Sequence, residues 1–281
     1  MKITHSKNKL INFGSAKLHP IDLAYKKLLQ KGLKDTFQIN SKIEDLDSIA
    51  GPIELKQIIT KLLPEHYIAG KNFRANFHIH TIASDGDLTV KEFLEKCTSW
   101  ANYIFKKKSS TDTLPAFSAA ITDHDRIKSV KETIALISQN PDKYKNFKFV
   151  SGCEYLFHSN KEQSRVFEAV GLGFNPFDER LKPLMQGFAS NNDISDAKKV
   201  IEAGGILSLA HPLYSPQNLT DDFFKLLKKH NINGIEKHYQ YQKCDNEYIT
   251  EAQKLLEPLL ERYKMFATGG TDTHKKSIFK R

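Results

Sequence analysis

The chain is short of cysteine, of long apolar runs and of acid. Its three cysteines, Cys97, Cys153 and Cys244, are far apart and odd in number, which excludes a disulfide framework and a Cys-x-x-Cys metal knuckle and points to a reducing compartment. No apolar run approaches the length of a bilayer span, and the opening Met1-Lys2-Ile3-Thr4-His5-Ser6-Lys7 has no apolar block of signal-peptide length. The expectation is a soluble, cytoplasmic protein with no membrane partner. Acidic residues number 33 against 42 basic ones, giving a formal net charge of +9 and a pI near 9.2. Such a surplus suits anionic partners, phosphate esters or nucleic acid, and equally suits a solvated lysine-rich surface. Internal repeats and low-complexity segments are also missing.

What is present is an ordinary globular composition, 40% hydrophobic and 27% charged over 281 residues, enough for one catalytic domain with an appendage. Residues 1–70 read as a helical N-terminal extension. Pro20 opens a helix carrying Ile21, Ala24, Tyr25, Leu28 and Leu29 before Gly32; Ser41-Lys42-Ile43-Glu44 has the form of a capping box for a second; Pro52 opens a third with Ile53, Ile58, Ile59, Leu62 and Leu63. From Asn72 onward short apolar runs alternate with helical patterns, the mark of an α/β chain with a parallel sheet. Seven candidate strands lie near Phe77, Ala119–Ile121, Phe149–Val150, Val166–Val170, Ile206–Leu209, Gly234–Ile235 and Met265–Ala267. Helices are expected after the Thr89-Val90-Lys91-Glu92 capping box, after Ser195-Asp196, after Thr220-Asp221, and over Asn246–Leu260 with Ile249, Ala252, Leu255 and Leu256 on one face.

The strand ends carry the chemistry. His78 and His80 are spaced i, i+2 on a β-prone run, so they share one face, and the strand breaks at Ser84-Asp85-Gly86. The next ends read Thr122-Asp123-His124-Asp125, Gly152-Cys153-Glu154, Ala210-His211-Pro212, Glu236-Lys237-His238 and Thr271-Asp272-Thr273-His274. Singly each has a plain explanation: His211 as a satisfied core histidine, Asp123 or Asp125 as a helix N-cap. Six strand ends offering imidazoles and carboxylates together point to one rim, the place where parallel barrels assemble their sites. Clustered carboxylates resist ionisation unless cations neutralise them.

In this order, His78-x-His80 with Ser84-Asp85-Gly86, Thr122-Asp123-His124, Gly152-x-Glu154, Ala210-His211-Pro212 and Asp272-x-His274 resemble the polymerase and histidinol phosphatase family of metal-dependent phosphoesterases, over about Asn72 to the C-terminus. The resemblance implies a distorted seven-stranded (β/α) barrel over residues 71–281, with two or three divalent ions at the strand C-termini. It carries over His78, His80, Asp85, His124, Glu154, His211, Asp272 and His274 as metal ligands, with Glu154 the natural bridge. Within the family the motifs look most like the subgroup that hydrolyses nucleoside 3',5'-bisphosphates and trims RNA 5' ends. Two features depart from it: Glu168 stands where that subgroup has a histidine, leaving it as a candidate third-metal ligand, and only Phe174–Asn192 is available where members carry a long covering insertion. The N-terminal helices are the candidate substitute lid.

Imidazole and carboxylate donors without thiolate suit Mn²⁺, Fe²⁺ or Zn²⁺. Such ions acidify a water into a nucleophile and neutralise phosphoryl oxygens, so no protein nucleophile is required. Arg126, Lys237 and Lys275 are the candidate phosphate-binding cations, and Asp123 is expected to fix an imidazole tautomer. Glu236 and His238, two apart, are expected to share a face. The function expected is hydrolysis of a phosphorylated metabolite, nucleotide or oligonucleotide end, the alternatives being a single-strand exonuclease and a non-catalytic binding or regulatory module.

Overall fold

Pro20 starts the first helix, α1 (Pro20–Phe37), where His19 Nδ1 accepts the Ile21 N–H at 3.3 Å; Tyr25, Leu29 and Leu33 recur at four-residue spacing on its buried face. This computed structural model describes residues 18–61, 74–159, 165–185, 192–215, 219–239 and 246–278. The basic lead, Leu62, Leu63, Cys244 and residues 186–191 of the short segment lie outside the described residues, as do the side chains of Ile249 and Ala252. The second expected helix shrinks to a single 3₁₀ turn at Glu44–Leu46 with no side-chain cap. Asp45 Oδ2, not Glu44, takes the Lys42 N–H at 2.5 Å. The chain then straightens because Ser48 and Ala50 bond to Phe149 as an added edge strand (Phe149 N–H to Ser48 O 2.7 Å, Ala50 N–H to Phe149 O 2.8 Å). Helix α2 is Pro52–Lys61.

The chain continues as β1 (Ala75–Asn76), α3 (Val90–Lys107), β2 (Phe117–Ala120), α4 (Lys128–Gln139), β3 (Phe147–Val150), β4 (Gly152–Ser159), β5 (Arg165–Leu172) and β6 (Asn192–Asp193). It ends with α5 (Ala197–Glu202), β7 (Ile206–Leu209), α6 (Asp221–Lys229), β8 (Ile232–Tyr239), α7 (Asn246–Tyr263) and β9 (Phe266–Gly270). Thr89 and Glu92 form the capping box expected for α3. This is a mixed α/β fold with parallel strands. One sheet is β1-β2-β3, all parallel; the other runs β6-β4-β5-β7-β8-β9, parallel except that β5 opposes both β4 and β7.

Two readings of the third and fourth strands are corrected. The third, expected at Phe149–Val150 with Glu154 at its end, is β3, but Glu154 belongs to a separate strand: the chain breaks at Ser151, whose Oγ donates to the Phe174 carbonyl at 2.5 Å and whose own carbonyl accepts the Gly173 N–H at 2.8 Å, and Glu154 then lies on β4. The fourth is the return leg of a hairpin, paired from Gly152↔Leu172 to Ser159↔Arg165. A parallel crossover needs a dozen or more residues, and the short link between β4 and β5 allows only reversal.

Among the described residues the sheets do not pair into a closed ring, yet backbone bonds join their edges at the site. Phe77 N–H donates to Gly269 O (3.0 Å) and His80 N–H to Thr273 O (2.9 Å), while Asp125 N–H donates to Glu154 O (2.8 Å). Residues 18–61 cover the other seam: Leu55, Ile58 and Ile59 pack in one cluster with Phe77, Val150, Val170 and Leu172. None of these described residues lines the cleft over the strand ends, so among residues 18–61 nothing forms the lid expected of the N-terminal helices.

Candidate metal centre

Beyond β1 the chain stays extended, bridging Ile79 to Thr273, and this puts the rings of His78 and His80 on one side with centroids 5.1 Å apart, both fully buried. It then turns sharply at Ile82–Asp85, with the Ser84 and Gly86 N–H groups both donating to Thr81 O at 3.0 Å. A Cβ at position 86 would fall 2.4 Å from the His80 carbonyl oxygen, so glycine is required there. A second close approach is at Gly270 of β9, where a Cβ would lie 2.0 Å from His78 Cβ. Three strand-end residues, Asp125, His211 and Asp272, take left-handed backbone (φ 46°, 25° and 47°). Each such residue costs on the order of 1 kcal/mol or more, a strain typical of sites where side chains are aimed.

The donors meet around Glu154. Its Oε2 lies 3.0 Å from His78 Nε2, 3.3 Å from His80 Nε2 and 3.3 Å from His124 Nδ1, and its Oε1 lies 3.0 Å from His211 Nε2. Asp272 Oδ1 sits 3.5 Å from His78 Nε2 and 3.2 Å from His80 Nε2. A second group forms on the outer side, where Asp85 Oδ2 is 3.0 Å from His274 Nε2 and 3.7 Å from His124 Nε2, and Asp85 Oδ1 is 3.4 Å from His80 Nδ1. Glu168 completes a third with His124 and Glu154, its Oε2 3.3 Å from His211 Nε2.

Whether this set fits a metal can be judged from its unmet atoms. His78 Nε2, His80 Nε2 and Glu154 Oε2 are buried and make no hydrogen bond although they crowd one point. Each such atom costs about 1–3 kcal/mol when left unsatisfied, and a single cation among them would satisfy all three. The atoms behind them are already committed. Glu236 accepts from His78 Nδ1 (3.1 and 3.2 Å) and from the His211 N–H (2.9 Å), holding His78 in the tautomer whose Nε2 carries the lone pair. Tyr239 Oη donates to Asp272 Oδ2 at 2.6 Å, and His274 Nδ1 bonds the Asp272 carbonyl at 3.0 Å, turning Nε2 toward Asp85.

Electrostatics agree. Burial opposes a charge on His78, but Glu154, Glu236 and Asp272 outweigh it and raise its pKa well above the ordinary value. Burial is likewise overcome at His80, raised to about 9 chiefly by Asp272 and Glu154, and at His211, raised by Glu154. Glu154 and Asp272 are held below the usual carboxylate range: burial is outweighed by the charge on His78, with hydrogen bonding from His211 to Glu154 and from His80 to Asp272. Glu168 goes the other way, up to about 7, through burial and the nearby Glu154 charge. Without a cation, imidazoliums do the neutralising; a divalent ion would displace those protons.

The structure thus brings together His78, His80, Asp85, His124, Glu154, Glu168, His211, Asp272 and His274. It does not bring Asp123 to an imidazole. That carboxylate accepts from Thr81 N (2.6 Å), Thr81 Oγ1 (2.8 Å), Ser84 Oγ (3.0 Å) and Ser129 Oγ, bracing the turn that presents Asp85. The tautomer-fixing carboxylate is Glu236. None of the three expected phosphate-binding cations lines the cleft. Arg126 Nη1 donates to Ala83 O (2.6 Å), Lys237 Nζ to Glu257 Oε1 on α7 (2.7 Å), and Lys275 Nζ lies exposed, 3.9 Å from Asp87. His238 also fails to join Glu236. A bulge in β8 pairs Glu236 with Thr268 but His238 with Gly269, so the alternation slips and Tyr239 takes the site-facing position. Burial and Lys237 push His238 down to about 4. Tyr239 escaped the sequence reading because no residue announces the bulge.

No protein-family model matches the chain, and no curated protein matches it. Among solved structures, a protein from Bifidobacterium adolescentis, provisionally named a metal-dependent phosphoesterase, aligns over 72% of this chain and 88% of its own at 15% identity and a TM-score of 0.49. An amidohydrolase from Chromobacterium violaceum, with bound sulfate and no metal, aligns over 72% and 88% at 17% identity and a TM-score of 0.47. Neither likeness carries an argument about activity; that rests on the donor atoms themselves.

Proposed function

We propose that this chain is a metal-dependent hydrolase of phosphate esters, with a distorted seven-stranded (β/α) barrel at residues 71–281 and a helical extension at 1–70. The observation that carries the reading is the trio of buried, unbonded atoms His78 Nε2, His80 Nε2 and Glu154 Oε2, set among carboxylates and imidazoles with no thiolate. The barrel is supported by the backbone bonds that link β9 to residues 77–80 and the end of β2 to β4.

His78, His80, Glu154 and Asp272 would hold one divalent ion, Mn²⁺, Fe²⁺ or Zn²⁺; Asp85, His124 and His274 with His80 would hold another; Glu168 with His124, Glu154 and His211 offers a third place. When bound, such ions supply Lewis acidity toward phosphoryl oxygens and a water acidic enough to attack near neutral pH. The chain's own contribution is positioning. Glu236 fixes His78, Tyr239 fixes Asp272, and Asp123 fixes the Asp85 turn. The exonuclease reading lacks support from the cleft, which among the described residues offers no lysine or arginine to follow a nucleic-acid backbone. Metal analysis combined with turnover of a generic phosphate ester tests the proposal. Bound divalent metal and EDTA-sensitive turnover are expected; metal-free protein without turnover would instead favour a binding module.

A further inference from the structure

The cleft over the donor cluster, about 510 Å³, has a polar floor and apolar walls. Strand pairing dictates this. Leu156 stands directly opposite Glu168 in the antiparallel β4–β5 register. Side chains two apart share a face, so the alternation that sends Glu154 and Glu168 to the floor sends Leu156 and Val166 to the wall beside it. Pro212, Leu219 and Phe223 extend the wall. Val166 and Tyr214 stay 45% and 46% exposed at the mouth, large apolar surface that the fold itself leaves uncovered.

The charges of the cleft point the same way. Among the described residues its lining holds five carboxylates, three imidazoles and no lysine or arginine, although the chain as a whole carries a +9 surplus. Arg165, next to Val166, is turned to Thr220 Oγ1 at 3.1 Å and lies over the Phe223 ring, 5.7 Å from its centroid. Four lysines instead line a separate hollow with Phe147, on the side of α2 and β3.

Resting on the phosphoesterase reading, we propose that the substrate is a phosphomonoester whose organic part is apolar, aryl or branched alkyl, with no second anionic group, and is not a bisphosphorylated nucleoside or an oligonucleotide end. One phosphoryl head would find its countercharge in the divalent ions that the floor donors would hold. A second phosphate placed beyond the ester would meet Leu156 and Val166 and lose hydration without gaining a cation from the described residues. An aryl ring in the same place trades water for apolar wall.

The test uses the full chain loaded with Mn²⁺ and calorimetric titration with naphthylmethylphosphonate, methylphosphonate, adenosine 5'-monophosphate and adenosine 3',5'-bisphosphate. Naphthylmethylphosphonate is expected to bind roughly 30-fold tighter than methylphosphonate, and the bisphosphate no tighter than adenosine 5'-monophosphate. Val166→Lys, at an exposed position, should cut the naphthyl advantage roughly tenfold and strengthen the bisphosphate. Equal affinity for the two phosphonates, or preference for the bisphosphate, overturns the proposal. A parallel assay with 1-naphthyl phosphate separates it from the broader reading. Turnover with equal phosphonate affinities sinks this proposal alone; a preserved naphthyl preference without turnover sinks the phosphoesterase reading and leaves the apolar preference standing. Binding of neither phosphonate sinks both.

Discussion

The inner and outer halves of the donor cluster are built differently, although they share His80. On the inner side His78, His80, Glu154 and Asp272 have side chains at most 3% exposed, and His78 and Asp272 are each held from behind by another buried group, Glu236 and Tyr239. On the outer side Asp85, His124 and His274 are 35%, 16% and 22% exposed, and Asp85 stands on a turn. Water can satisfy the outer donors when nothing is bound. It cannot reach the inner ones, where unmet polar atoms are costly and a cation has most to offset. On the proposed reading the inner half would anchor the centre, and an ion held by the outer half would exchange more readily.

The sharpest way to break that distinction is to remove a carboxylate from each half. Glu154→Gln or Asp272→Ala should empty the centre and lower phosphate-ester turnover by roughly 10³-fold or more, with the far-ultraviolet circular dichroism unchanged. Retention of near-normal turnover in either variant would remove that residue from the centre. Asp85→Asn should release only the outer ion, with turnover falling by roughly 10²-fold while inner metal is retained on elemental analysis.

Proton linkage offers a smaller effect with a defined sign. In metal-free protein His80 keeps its proton up to about pH 9, whereas in the unfolded chain it titrates near 6.5. The stability it confers is complete below about pH 6.5 and is lost as the pH rises through about 9. The melting temperature of EDTA-treated protein should therefore fall over that window, and loading with Mn²⁺ should flatten the fall; a rise over the window would contradict the assignment. Smallest of all, Arg126→Ala should change kcat and KM by less than about twofold, because this exposed side chain bonds the Ala83 carbonyl. A large rise in KM would restore it as a phosphate ligand.

The donor residues were legible because their types and their places at strand ends both follow from local pattern. His78-x-His80, Glu154, His211 and Asp272-x-His274 need only alternation and a turn to reach the rim. What supports them was harder to see. Glu236 and Tyr239 lie three apart on one strand and reach the same site only because a bulge intervenes. Asp123, next to His124, reads as an imidazole partner, but Thr81 and Ser84 reach it first. The reversed strand β5 was available to sequence reasoning through the shortness of the link before it, a constraint that a regular βα reading passes over. The apolar wall was equally implicit in the alternation around Glu154 and Glu168, once their strands were paired.

Metal stoichiometry after loading with Mn²⁺ and exhaustive dialysis, measured by elemental analysis on the intact chain and on Asp85→Asn and Glu154→Gln, addresses the central claim most directly. Two or more equivalents in the intact chain, one fewer in Asp85→Asn and essentially none in Glu154→Gln is the result predicted. Less than one equivalent in the intact chain, or full loading of Glu154→Gln, would contradict it.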